Sequence, residues 1–176
     1  MTLPTSRNTT YTPASQIKAN DLNSIQDAII GAKHPSLTIQ IAGVSFQPQG
    51  GTGVSYDCSG TVAGLTMANV VRAYAPVNLP VGTRITAARL YVVDVAGTTI
   101  FGRLAESDLV NPAVGGLVSG DTPNSAGSGA YQALTVDAAL FPVAVAAHRA
   151  WTFAVLTAGG VGSCTIYGAE VDYDRL

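Results

Sequence analysis

Apolar positions along this chain follow two different periods. Between Asn20 and Ile30 they recur at spacings of three and four: Leu22, Ile25 and Ile29 share one face, with Ala32 next in phase. That spacing predicts a short amphipathic helix. Asn20 or Asp21 supplies an N-terminal cap, Gly31 stands where a left-handed C-terminal cap is expected, and Pro35 prevents continuation. A helix of roughly eleven residues is marginal alone. Its seam therefore needs a partner: sister helices, the body of another protein, or the chain's own β-domain. Leu followed by Ile in the seam leans toward three or four strands of helix.

From Leu37 onward the period becomes two, the signature of half-buried strands. Leu37, Ile39 and Ile41 alternate, and the phase slips at Gly43 so that Val44 and Phe46 continue on the other parity. A slip of this kind predicts a bulge or bend. Val70–Tyr74 reads as a strand ended by Pro76, and Asn78–Gly82 as a tight loop. Arg84–Val95 reads as the clearest strand, with Ile85, Tyr91, Val93 and Val95 on one parity and Ala88, Leu90 and Val92 on the other. Apolar residues on both faces predict cover on both sides. Thr98–Leu104 is expected to be its hairpin partner across the Ala96-Gly97 turn.

Residues 105–130 are rich in Gly, Pro, Ser and Asn and leave room for one short strand near Leu117-Val118. Strand character returns at Tyr131–Val136, and again where Trp151, Phe153 and Val155 alternate. In the last strand Tyr167, Ala169, Val171 and Tyr173 are expected to face one way, with Glu170 and Asp172 opposite. The resulting expectation is a mainly β protein: a β-sandwich of jelly-roll type preceded by one short N-terminal helix. Its parts are an extended arm at 1–19, the helix and linker at 20–34, and the sandwich at 35–176. No repeat of 20–50 residues is present, which argues against a solenoid or propeller.

Composition changes this picture in one respect. Hydrophobic residues make up 47% of the chain and charged residues 11%, against about 25% charged in an ordinary soluble domain. So little charge predicts that part of the surface is buried between subunits, and a homotrimer is the expected assembly. The net charge of −2 comes with no basic stripe, so nucleic-acid binding is not expected. No membrane insertion is expected either, because the longest apolar run, Ala138–Ala147, is too short and contains Pro142. The N-terminal residues lack a secretory apolar core, which predicts synthesis in the cytoplasm. Cys58 and Cys164 are expected to be thiols acting as small hydrophobes, a bridge being the second choice.

Candidate chemistry is sparse. There is no G-x-S-x-G elbow, and His34 and His148 are the two histidines; His148, beside Arg149, is expected at a solvated strand edge. Cysteines and histidines never cluster at ligand spacing, and no catalytic, cofactor-binding or metal residue is assigned. Asp94, Asp108, Asp121 and Asp137 would have to converge by chance to make a glycosidase pair. Asp94 is expected instead to end a buried stretch or to bond to backbone. If a ligand binds, the loop-rich stretch Ala105–Ala130 is its expected place, with Asp108, Asp121 and Asn124 as polar groups.

Two segments carry a resemblance. The stretch IKANDLNSIQDAIIGAKH at 17–34 resembles the helical leader that precedes globular domains in bacteriophage tail and fibre proteins. APVNLPVGTRITAARLYVVD at 75–94, YQALTVD at 131–137 and IYGAEVDY at 166–173 resemble a β-sandwich domain of bacteria and phages. Its relatives by shape are trimeric jelly rolls of the tumour-necrosis-factor type, an analogy of fold rather than motif. The resemblance implies a non-enzymatic virion or tail component: a short spike, a fibre tip or a capsid decoration protein. Such a component would be a homotrimer in the virion, held to other virion or tail proteins through its N-terminal arm, with Leu22, Ile25 and Ile29 assisting assembly. A host-surface glycan would be its outside partner. The alternative is a bacterial surface or extracellular carbohydrate-binding module. No cofactor is implied.

Overall fold

Alternating apolar residues become strands wherever turn chemistry leaves them room. A computed structural model of the chain describes residues 36–49, 54–57, 64–68, 72–94, 98–110, 120–137, 140–157 and 163–175. The expected helix with Leu22, Ile25 and Ile29, the short strand near Leu117, and Cys58 lie outside the described residues. All described strands belong to the unit Leu37–Leu176. They are β1 (Leu37–Ala42), β2 (Gln47–Gln49), β3 (Val54–Asp57), β4 (Gly64–Ala68), β5 (Arg72–Val77), β6 (Thr83–Asp94), β7 (Ile100–Asp108), β8 (Tyr131–Thr135), β9 (Val143–Ala144), β10 (Arg149–Thr157) and β11 (Ser163–Arg175).

They form two sheets, and every pairing is antiparallel. The larger runs β3-β4-β11-β6-β8, with β1 also on β11 and β9 also on β6; the smaller runs β2-β5-β10-β7. The core lies between them. Leu65, Met67, Ile85, Leu90, Val92 and Ile166 from the larger sheet join Ala73, Ala75, Leu104, Trp151, Phe153 and Val155 from the smaller in one buried cluster. Phe46 meets Phe153 edge-on, with ring centroids 6.4 Å apart. The architecture is sandwich-like.

The last strand organises the larger sheet. One edge of β11 pairs with β6 along almost its whole length. The other edge pairs with β4 at Ser163–Ile166 and with β1 at Gly168–Tyr173. Between these two partners lies a bulge: Ile166 is opposite Val92 and Gly168 opposite Tyr91, so Tyr167 is the extra residue. Backbones crowd there. A Cβ on Gly168 would lie 2.5 Å from the Ile41 carbonyl oxygen, and one on Gly43 would run into the Ile166 carbonyl. Gly43 opens a 3-10 turn, Gly43–Ser45, after which Phe46 is fully buried. The phase slip predicted at Gly43 is this turn.

Four local expectations need correction. Tyr167 does not share a face with Ala169 and Val171, because the bulge turns it to the outer side of the sheet. A second irregularity sets Asp172 opposite Ala87 and Tyr173 opposite Ile85, leaving Thr86 as the extra residue of β6. Ile85 thereby joins Ala88, Leu90 and Val92 in the core, all of them fully buried. The shift moves Ile85 of its expected set to the core face; Tyr91 and Val93 stay on the outer face. Thr98–Leu104 is not its hairpin partner either: β7 pairs with β10 in the other sheet, since β6 already has β11 on one edge and β8 and β9 on the other. Finally, Pro76 does not end its strand. β5 runs on to Val77, with β2 alongside only at Arg72–Tyr74, so Pro76 sits where the strand has become an edge and its missing N–H costs no ladder bond.

The free edge of β7 is covered by part of the loop-rich stretch. Thr122 and Ser125 donate their backbone N–H groups to the Gly102 and Ile100 carbonyls. Their hydroxyls in turn accept from the Gly102 and Ile100 N–H groups, all four bonds being 2.8 Å. Covering an edge in this way blocks pairing with other chains.

Candidate functional site

The outer face of the larger sheet gathers aromatic and polar side chains from four strands. Leu90 and Val92 point inward on β6, so Arg89 and Tyr91 point outward. On β8, Leu134 is inward and Tyr131 outward, diagonal to Tyr91 across the ladder. The bulge in β11 adds Tyr167 to this face, and normal alternation adds Glu170 and Asp172. Thr38 and Gln40 complete it from β1, directly opposite Asp172 and Glu170.

Three tyrosines come together there. Tyr91 and Tyr131 lie nearly parallel, with centroids 6.0 Å apart and planes 13° apart, and Tyr131 meets Tyr167 edge-on at 5.6 Å. Tyr131 is 61% exposed, an unusual cost for a large aromatic on a folded surface. Beside them is an open cleft of about 430 Å³ whose lining includes Gln40, Ala42, Tyr91, Tyr167, Gly168 and Glu170.

The polar rim is tightly bonded. The Tyr91 hydroxyl donates to Glu170 Oε2 at 2.6 Å, and Gln40 Nε2 donates to Glu170 Oε1 at 3.3 Å. Arg89 bridges the two carboxylates, 3.5 Å from Glu170 and 2.8 Å from Asp172, and Thr38 donates to Asp172 at 2.7 Å. The bond to Glu170, with burial and the Glu170 charge behind it, pushes the Tyr91 hydroxyl up to about 12, so it stays a protonated donor. Burial acts to lower the Arg89 guanidinium, but the bond to Asp172 and the surrounding negative charge outweigh this and raise it.

Behind Tyr131 lies a buried support. Asp94 has no exposed surface, yet its carboxylate accepts the Gly127 N–H at 2.6 Å and Gln132 Nε2 at 2.8 Å. Burial acts to raise its pKa; hydrogen bonds from the Ser125 hydroxyl and from the backbone of Gly127 and Ser128 win and hold it below the usual carboxylate value. Gln132 Oε1 also accepts the Ala126 N–H at 2.8 Å. The strand end that carries Tyr131 is thereby fixed to the preceding loop. Asp94 does bond to backbone, as its place at the end of an apolar strand predicts.

The residues chosen from the sequence as a ligand loop sit elsewhere. Asp121 forms a two-point pair with Arg103, at 2.5 and 2.7 Å. Asp108, at the far end of β7 from that pair, lies 3.3 Å from Arg149 and accepts the Val110 N–H at 2.8 Å. Asn124 is exposed on the segment that covers β7. The structure does not bring the three together. His148 is exposed with φ of 59°, and Cys164 is a buried free thiol whose burial pushes its pKa up to about 11. Among the described residues no group of three His, Cys, Asp or Glu could hold a metal ion, and no helix is long and apolar enough to cross a membrane. Sequence reasoning missed the tyrosine face. The one signal for it was Tyr167-Gly168, a glycine inside a strand pattern, which marks a bulge.

No known protein-family profile and no curated protein matches the chain. Among solved structures it is similar to the N-terminal CBM22-1–GH10 modules of Clostridium thermocellum endo-1,4-beta-D-xylanase 10B complexed with xylohexaose: 12% identity and a TM-score of 0.49 over 82% of this chain and 28% of that one. It is also similar to the C-terminal CBM6 of the laminarinase LamC from Zobellia galactanivorans, at 15% identity and a TM-score of 0.46 over 77% of this chain and 98% of that one. A third likeness is to the enzymatically active domain of bacteriophage CBA120 tailspike protein 4, at 14% identity and a TM-score of 0.45 over 79% and 19%. Carbohydrate-binding modules and a phage tailspike thus both stand among its neighbours. At these identities and scores the likeness decides neither ligand nor activity. What the chain binds has to be read from its own residues.

Proposed function

We propose that the sandwich is a non-enzymatic carbohydrate-binding module of jelly-roll type, and that the outer face of the larger sheet is its ligand surface. The observation that carries this reading is the packing of exposed Tyr131 against Tyr91 and Tyr167, which line a cleft with Glu170 and Gln40 on its wall. A sugar ring has an apolar C–H face and a rim of hydroxyls. Aromatic rings match the first and fixed carboxylate and amide groups match the second. The carboxylates of this face support binding rather than hydrolysis, because Arg89 links them both and neither has the separate environment that an acid and a nucleophile require.

Affinity electrophoresis of the full chain against soluble plant, algal and bacterial polysaccharides tests the reading. At least one polymer should retard the protein without release of reducing ends, and Tyr131→Ala should lower that affinity roughly tenfold, the loss of about 1.4 kcal/mol expected for an aromatic anchor. No retardation by any polymer overturns it.

A virion component is the second reading, favoured by the 11% charge content, which suits a chain that buries surface in an assembly. The two readings meet if the glycan lies on a host surface. Detecting the chain in purified particles favours the virion; finding it free in the medium or on a bacterial surface favours the stand-alone module.

A further inference from the structure

We infer that this surface selects neutral glycans over uronate- or sialate-bearing ones, and that Glu170 is the residue that sets the preference. The inference rests on the glycan reading above. None of the residues lining the cleft is cationic, whereas Glu170 brings a carboxylate to its wall. The nearest guanidinium, Arg89, is shared: its 2.8 Å contact is to Asp172 and its 3.5 Å contact to Glu170. One cation between two carboxylates leaves this part of the face with an excess negative charge. The next pair along the sheet, Arg84 with Asp174 at 3.6 Å, is balanced and does not alter that count.

Donor direction adds to the effect of charge. The Tyr91 hydroxyl hydrogen points at Glu170, so Tyr91 offers a ligand its oxygen lone pairs. Gln40 spends an amide hydrogen on the same carboxylate. The wall of the cleft therefore presents acceptors at Glu170, the Tyr91 oxygen and the Gln40 side-chain oxygen. Its remaining side-chain donors, the second Gln40 amide hydrogen and the Tyr167 hydroxyl, are uncharged. Hydroxyl groups of a neutral sugar can donate to all three acceptors. A sugar carboxylate brings acceptors and like charge to acceptors and like charge, an arrangement that discriminates by repulsion.

The test uses the full chain and uronate polymers such as polygalacturonate, each beside its carboxyl-reduced form, so that backbone and linkage stay constant. The reduced, neutral member should bind at least about tenfold more tightly than its acidic parent at low salt. Glu170→Gln should narrow that ratio, since it removes the charge and keeps the shape. For the wild-type protein, raising the salt to about 1 M should narrow the ratio as well, through screening, which tests the idea even if the variant folds poorly. A preference for the acidic member, or a ratio that neither the variant nor salt moves, overturns the inference. In that event, binding that Tyr131→Ala still weakens leaves the glycan reading standing. Absence of binding to every polymer overturns both.

Discussion

Asp94 shows how much one side chain can hold. It is fully buried and stays ionised because Ser125, Gly127, Gln132 and Ser128 all bond to it. Its folded pKa lies below that of the unfolded chain. The stabilisation is therefore complete above the ordinary carboxylate range and is lost as pH falls through the lower, folded value. Asp94→Asn keeps one acceptor oxygen but loses the charge, and should cost about 1–3 kcal/mol at neutral pH. Melting temperature followed from roughly pH 7 down to pH 2 should fall less steeply for the variant than for the wild type. Parallel curves would show that Asp94 does not drive acid sensitivity.

Among the elements, β11 and its bulge matter most for the proposed site. Gly168 is required because Ile41 backbone lies where a side chain would begin, and that close approach positions Tyr167 beside Tyr131. Gly168→Ala has no flexible neighbour to displace, so the backbone itself must shift. It should destabilise the fold by about 1–3 kcal/mol and also weaken polysaccharide retardation at temperatures where the variant is still folded. Lost stability with unaltered binding would separate Tyr167 from the ligand surface. This element also marks the limit of sequence reading. The alternation of Trp151, Phe153 and Val155 gave their burial correctly, and Gly43 gave the turn, because both are local patterns. The outward turn of Tyr167 depends on a register shift against β6, and the place of β7 depends on which edges of β6 are already taken. Neither is written in the spacing of the residues concerned. The Asp121 carboxylate is visible in the sequence, but its pairing with Arg103 depends on the fold.

At the scale of the molecule, low charge is the feature to account for. The single chain exposes Val81, Leu109, Val110 and Leu140 as well as Tyr56 and Tyr131. A trimer remains our expectation, and light scattering on the purified full chain should return about three times the 17.9 kDa subunit mass. Repeating the measurement with Tyr131→Ala bears on the glycan reading too. If that variant loses the trimer, the tyrosine face is a subunit contact rather than a sugar surface.

The order of strands in the sequence has one more consequence, and it concerns synthesis. The strand that joins β4, β1 and β6 is the last of the eleven described strands to be made. Until Ser163–Arg175 has been added, β1 lacks its only partner among the described strands, and of its described partners β4 keeps β3. Most of the larger sheet therefore has to wait for β11, with Leu65, Ile85, Leu90 and Val92 lacking its cover meanwhile. Such long-range pairing is slow and invites association between neighbouring chains. Nascent chains arrested before Ser163 should be digested by protease throughout, and resistance should appear in one step once β11 is free of the ribosome. A protected fragment at shorter lengths would show that the sheets can assemble without their central strand.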